Sequence, residues 1–182
     1  MTCIVGVPQG SGRVVMGADS AGVSGWDLIV RADAKVFERG PFLMGFTSSF
    51  RMGQLLRYRL DVPEHPDDMP DLEYLSTAFV DAVRECLGSG GWRKKENERE
   101  EGGAFLVGYR GRVYEVSSDF QVGESVAGYA ACGCGAQVAL GALHALSESG
   151  LTAATRVRRA LVAAEALSAG VRGPFVILEG AA

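Results

Sequence analysis

Apolar and polar positions change period several times along the chain. Residues 3–7 are an apolar run, Pro8-Gln9-Gly10-Ser11-Gly12 is a turn signal, and Val14-Val15-Met16 is a second apolar run. Two such runs around a glycine-rich turn predict a hairpin. Residues 28–30 running into 35–38, then 42–46 after the Arg39-Gly40-Pro41 turn, continue a strand meander. The period then becomes helical. Met52, Leu55, Leu56 and Leu60 fall on one helix face, and Pro63, Pro66 and Pro70 end it. Asp71 reads as an N-cap for a second helix carrying Leu75, Ala78, Phe79, Ala82, Val83 and Cys86.

Residues 88–103 have no period. Ser89-Gly90-Gly91, a charged run from Arg93 to Glu101 and Gly102-Gly103 predict a flexible, solvated loop. Strands resume at 104–109 and 112–116, joined by the tight turn Arg110-Gly111. Residues 136–146 alternate alanine and glycine with Val138, Leu140, Leu143 and Leu146, which suits a helix buried on most sides. Thr152 caps a last helix with Val157, Leu161, Ala164 and Leu167 inward, and 175–178 close as a strand. Strands, helices, strands, helices and a final strand argue for α+β layering rather than alternating βαβ units.

Composition narrows the picture. A chain of 182 residues with 47% hydrophobic residues fits one domain, 1–182, with a sizeable core. A net charge of −4 argues against a nucleic-acid partner, which favours a basic surface. No apolar run approaches the roughly 18 residues of a membrane span. Met1-Thr2-Cys3-Ile4-Val5 carries no basic segment of a secretory signal, so a cytoplasmic protein is expected. Cys3, Cys86, Cys132 and Cys134 suggest no disulfide framework, and Cys132-Gly133-Cys134 is no zinc ligand set. Neither a metal nor a cofactor is expected. His65, among prolines and acids, and His144, on the small-residue helix, read as structural.

Three separated patches resemble proteasome β-type subunits of the bacterial HslV kind, within the N-terminal nucleophile (Ntn) hydrolase superfamily. They are Thr2-Cys3-Ile4-Val5-Gly6-Val7; Val14 to Ser20 together with Ala34-Lys35-Val36; and Gly133-Cys134-Gly135-Ala136. The resemblance covers about residues 2–60 and 104–178. It implies a four-layer αββα sandwich of two antiparallel sheets flanked by helices. It implies a threonine peptidase whose nucleophile is Thr2 once Met1 is removed, with Asp19 and Lys35 beside it. It also implies a homo-oligomeric ring, peptide or unfolded-protein substrates and an ATP-dependent unfoldase.

The chemistry suits those residues. A threonine hydroxyl needs a base to take its proton, and a first residue's own α-amine, titrating near pH ~8, can serve. An adjacent Lys35 ammonium would favour the alkoxide, and Asp19 could hold that ammonium in place. Asp33, two residues before Lys35, could pair with it on the same strand face.

Three departures from the family pattern stand out. At the oxyanion segment the family usually has glycine, whereas this chain reads Thr47-Ser48-Ser49. Ser48 is the expected backbone donor, although its Cβ disfavours positive φ. Cys134 replaces the family's supporting serine with a weaker donor. Near the end of the last helix Ser168 is present, but the only nearby acid is Glu165. Three rival readings remain: Cys3 as nucleophile after further processing, a small-molecule Ntn amidohydrolase, and a non-catalytic shell or scaffold subunit. Retention of Met1 would displace the α-amine from Thr2 and abolish the chemistry.

Overall fold

The computed structural model describes residues 1–180. The first sheet is built around β1 (Cys3–Gly10) and β2 (Arg13–Ala18), the predicted hairpin. β12 (Ala130–Gly133) pairs with the free edge of β1 and β13 (Val176–Glu179) with that of β2, all antiparallel. The second sheet runs in the order β11 (Val122–Glu124), β10 (Arg112–Val116), β9 (Phe105–Tyr109), β6 (Phe42–Phe46), β5 (Val36–Arg39). Alternation along β1 sets the layering. Cys3, Val5 and Val7 face one apolar cluster, and Ile4 faces another.

The first cluster joins β1 to α4 (Ala136–Ala145) and α5 (Ala153–Leu167). Thr152 caps α5 as expected, its hydroxyl accepting the Thr155 N–H. The second cluster, with Ile4, Met16, Leu43 and Leu106, fills the space between the sheets. A third lies under the second sheet against α1 (Phe50–Tyr58) and the helical stretch α2 (Asp71–Tyr74), a π-helical turn Leu75–Phe79, and α3 (Val80–Ser89). The result is helix, sheet, sheet, helix. Glycines let the layers approach: a Cβ on Gly45 would lie 2.5 Å from Ile4 Cγ2 across the two sheets.

Three expectations need correction. Residues 28–30 do not run on into the Lys35 strand. They belong to β4 (Asp27–Val30), which pairs with β3 (Ala21–Ser24) through the Gly25-Trp26 turn. The N-cap of α2 is Pro70 rather than Asp71, and Asp71 instead pairs with Arg110 at 3.0 Å. Within 88–103, residues 94–96 (β7) and 99–101 (β8) form a hairpin. Its turn has both Asn97 and Glu98 at positive φ. The Glu100–Arg84 ion pair ties it to α3, and a second pair joins Glu100 to Arg93 within the segment. Charge pairing, invisible to hydrophobic period, organises that segment. Among the described residues no helix is long and apolar enough to cross a membrane.

Candidate active site

The start of β1 and the end of β2 are neighbours, with Ile4 opposite Ala18. Thr2 and Asp19 therefore arrive together at one end of the first sheet. Lys35 comes from the other layer. Its carbonyl accepts the Phe46 N–H at 3.0 Å at the edge of the second sheet, and its side chain crosses the gap between sheets. Lys35 is 1% exposed, so it is no solvated edge lysine.

Lys35 Nζ donates to Thr2 Oγ1 at 2.8 Å and to Asp19 Oδ1 at 2.9 Å. The Asp19 carboxylate also accepts the Cys3 N–H at 2.9 Å on Oδ1, and the Ala21 and Arg172 N–H groups at 2.9 and 3.3 Å on Oδ2. Four donors satisfy this buried carboxylate, which offsets much of the cost of removing it from water. Asp33 does not pair with Lys35; it holds Arg31 instead. Burial pushes the Lys35 ammonium below its ordinary range, and Asp19 opposes the shift.

Met1 is present and half-exposed. Its carbonyl accepts the Thr2 hydroxyl, and its side chain lies over Gly170, where a Cβ would approach Met1 Cβ to 2.5 Å and Cys134 Sγ to 2.9 Å. The Thr2 N–H donates to Cys134 Sγ at 3.3 Å. Cys134 thus stands beside the nitrogen that would become the α-amine. Gly133 must be glycine: its φ is +98°, and a Cβ there would lie 2.2 Å from the Thr2 carbonyl oxygen.

Cys3 faces the helices rather than Thr2's side of β1. Burial, then the Asp19 charge, push its thiol up to about 12, so little reactive thiolate exists at neutral pH. Ser168 ends α5, where its N–H donates to the Ala164 carbonyl. Glu165 accepts the Gly173 N–H at 2.9 Å and has no bond to Thr2. His65 is stacked on Tyr74 and bonded to Tyr109, remote from the site.

Ser48 adopts φ +60° despite its Cβ. That conformation costs about 1–2 kcal/mol. The side chain compensates: Ser48 Oγ accepts the Ala104 N–H at 3.2 Å and lies 3.2 Å from Thr47 Oγ1. Ser49 then caps α1 by accepting the Arg51 N–H at 3.0 Å. The Ser48 N–H has no protein acceptor among the described residues. Thr2 and Ser48 line one open pocket of about 220 Å³, whose other walls include Ala21, Gly22, Arg31 and Phe50. Sequence reasoning missed Arg31, the Arg172 N–H and the close approach at Gly133. Only the last had a sequence signal, the glycine of Cys132-Gly133-Cys134.

Three solved structures share this architecture across nearly their whole length. BPH of Thiobacillus denitrificans in complex with epoxomicin superposes with a TM-score of 0.80 at 19% identity, covering 98% of this chain and 97% of that chain. BPH of Thiobacillus denitrificans in a second structure gives 0.80 at 18% identity, with the same coverage. Eukaryotic HslV from Trypanosoma brucei gives 0.68 at 20% identity, covering 98% of each chain. The chain has the HslV-type, proteasome-like fold. No family model and no curated protein sequence matches it. In this HslV-type fold the two antiparallel sheets lie between helices, as the sequence resemblance implied.

Proposed function

We propose that the chain is a threonine-type Ntn hydrolase that cleaves peptide (amide) bonds once Met1 is removed, working within an oligomeric proteasome-like assembly. The observation that carries this reading is the buried Lys35 ammonium bonded at once to Thr2 Oγ1 and Asp19 Oδ1. A structural lysine has no need of a threonine hydroxyl at the mouth of a pocket. Arranged this way, the charge lowers the cost of forming the Thr2 alkoxide, and Asp19 fixes its position.

In the proposed sequence the free Thr2 amine takes the proton of Oγ1, and the alkoxide attacks the substrate carbonyl carbon. The Ser48 N–H donates to the resulting oxyanion. The carbonyl re-forms as the C–N bond breaks, and the Thr2 ammonium returns its proton to the leaving amine. The amine then deprotonates a water that hydrolyses the Thr2 ester. Cys134, bonded to the Thr2 nitrogen, orients the amine in place of a hydroxyl.

Assembly is supported by the outer side of the β3–β4 hairpin, where Trp26 is fully exposed beside Leu28 and Val30. The resemblance to HslV-type subunits adds a ring, an ATP-dependent unfoldase and a cytoplasmic setting to this reading. Intact mass tests its core. Purified protein is weighed before and after treatment with an electrophilic β-lactone, beside Thr2→Ala. Loss of Met1 and a single adduct absent from the variant are expected. Retained Met1 with no adduct would sink the catalytic reading in favour of a scaffold subunit.

A further inference from the structure

The pocket beside Thr2 has a single charged side chain in its lining, Arg31. Three separate features hold that side chain in place. Its Nε and Nη2 donate to the two Asp33 carboxylate oxygens, each at 2.7 Å. Its guanidinium lies 3.8 Å from the centroid of the Phe50 ring. Its aliphatic stem rests on Gly22, where a Cβ would approach Arg31 Cδ to 2.8 Å, so the side chain occupies space that any other residue at 22 would fill. The backbone is fixed as well, the Arg31 N–H donating to the Ser20 carbonyl at 2.9 Å.

This fork is only partly used. A guanidinium has five N–H groups. Asp33 takes two, and the two on Nη1 and one on Nη2 have no acceptor among the described residues. No carboxylate lines the Thr2 pocket, since Asp33 lies on the far side of Arg31 and lines a separate cleft. A pre-positioned fork with free donors is well suited to an oxyanion of planar geometry.

We propose that Arg31 makes the pocket select substrates with an acidic side chain, Glu or Asp, on the residue whose carbonyl Thr2 attacks. The proposal rests on the peptidase reading above and names its substrate class. The orientation of Arg31 is already fixed by Asp33, Phe50 and Gly22, so little conformational entropy is lost when the ligand binds. Ile29, Ala21 and Phe50 around the fork accommodate the methylenes of the side chain.

The test uses the full chain after Met1 removal and fluorogenic peptides that differ only in the residue before the reporter: Glu, its neutral isostere Gln, or Leu. Glu over Gln in kcat/KM by about twofold to fivefold is expected, because the Arg31 side chain is 37% exposed and already shares its charge with Asp33. The preference should shrink as salt is raised. In Arg31→Met the Glu/Gln ratio should fall to about one, with β-lactone labelling of Thr2 showing that the variant is folded. Arg31→Lys, a point charge without the fork, should restore only part of the ratio. Equal cleavage of Glu and Gln peptides by a protein that labels at Thr2, or an unchanged ratio in Arg31→Met, overturns the acidic preference and leaves the peptidase reading standing. Failure of both labelling and cleavage overturns the two together.

Discussion

Burial of Lys35 lowers the pH at which it loses its proton, and Asp19 resists that shift. The proposed chemistry needs a neutral Thr2 amine and a charged Lys35. Activity should therefore rise as pH climbs through the amine's range near ~8. It should fall again on an alkaline limb below 10.5, the ordinary lysine value, because the folded state favours loss of the Lys35 proton. A pH profile of kcat/KM between about 6 and 11 checks both limbs. An alkaline limb at or above the ordinary lysine value would detach Lys35 from the reaction. Lys35→Ala should lower kcat/KM by about 10³-fold or more, and adding it to Thr2→Ala should cost nothing further, as for groups that act as one unit. At this scale the sequence was informative about three residues and silent on a fourth. Thr2, Asp19 and Lys35 are singled out by the resemblance to HslV-type subunits, not by period, and the structure brings their side chains together. Arg31 could not be, since its fixed orientation depends on Gly22, Asp33 and Phe50 converging on it. Ser48 was legible only as a position; what permits its positive φ is a hydroxyl contact with Ala104, distant in the chain.

Elements meet here through glycines as much as through apolar side chains. Gly17 on β2 faces α5, where a Cβ would lie 2.5 Å from Val157 Cγ1 and 2.9 Å from Leu161 Cδ1. Gly17→Ala should therefore destabilise the fold by about 1–3 kcal/mol, the usual cost of overfilling a close contact. Gly141 on α4 is exposed and has nothing within 4 Å of a built Cβ. Gly141→Ala should stabilise by about 0.5–1 kcal/mol through helix propensity and a less flexible unfolded chain. Urea unfolding of both variants separates the two effects, and equal midpoints would contradict this account of the interlayer contacts. The elements with clear apolar period, β1, β2, β6, α1, α4 and α5, were predictable from that period. β3 was not, because Ala21-Gly22-Val23-Ser24 carries too little apolar signal, and so residues 28–30 read as running on into the Lys35 strand. The β7–β8 hairpin escaped for a related reason: its strands, Lys94–Glu96 and Arg99–Glu101, are made of charged residues.

At the scale of the whole molecule, the β3–β4 hairpin joins two properties. One side, through Ala21, Gly22 and Ile29, walls the pocket that holds Thr2. The rest presents Trp26, Leu28 and Val30 to solvent. Two strands paired only with each other are marginally stable by themselves. Whatever covers Trp26 in the proposed assembly therefore also steadies the wall against which a substrate lies. Trp26→Glu should shift the protein to smaller species in light scattering. It follows that the proposed peptidase should sense its own abundance. Specific activity should climb with protein concentration and fade on dilution, so that newly made chains remain quiet until enough of them have met.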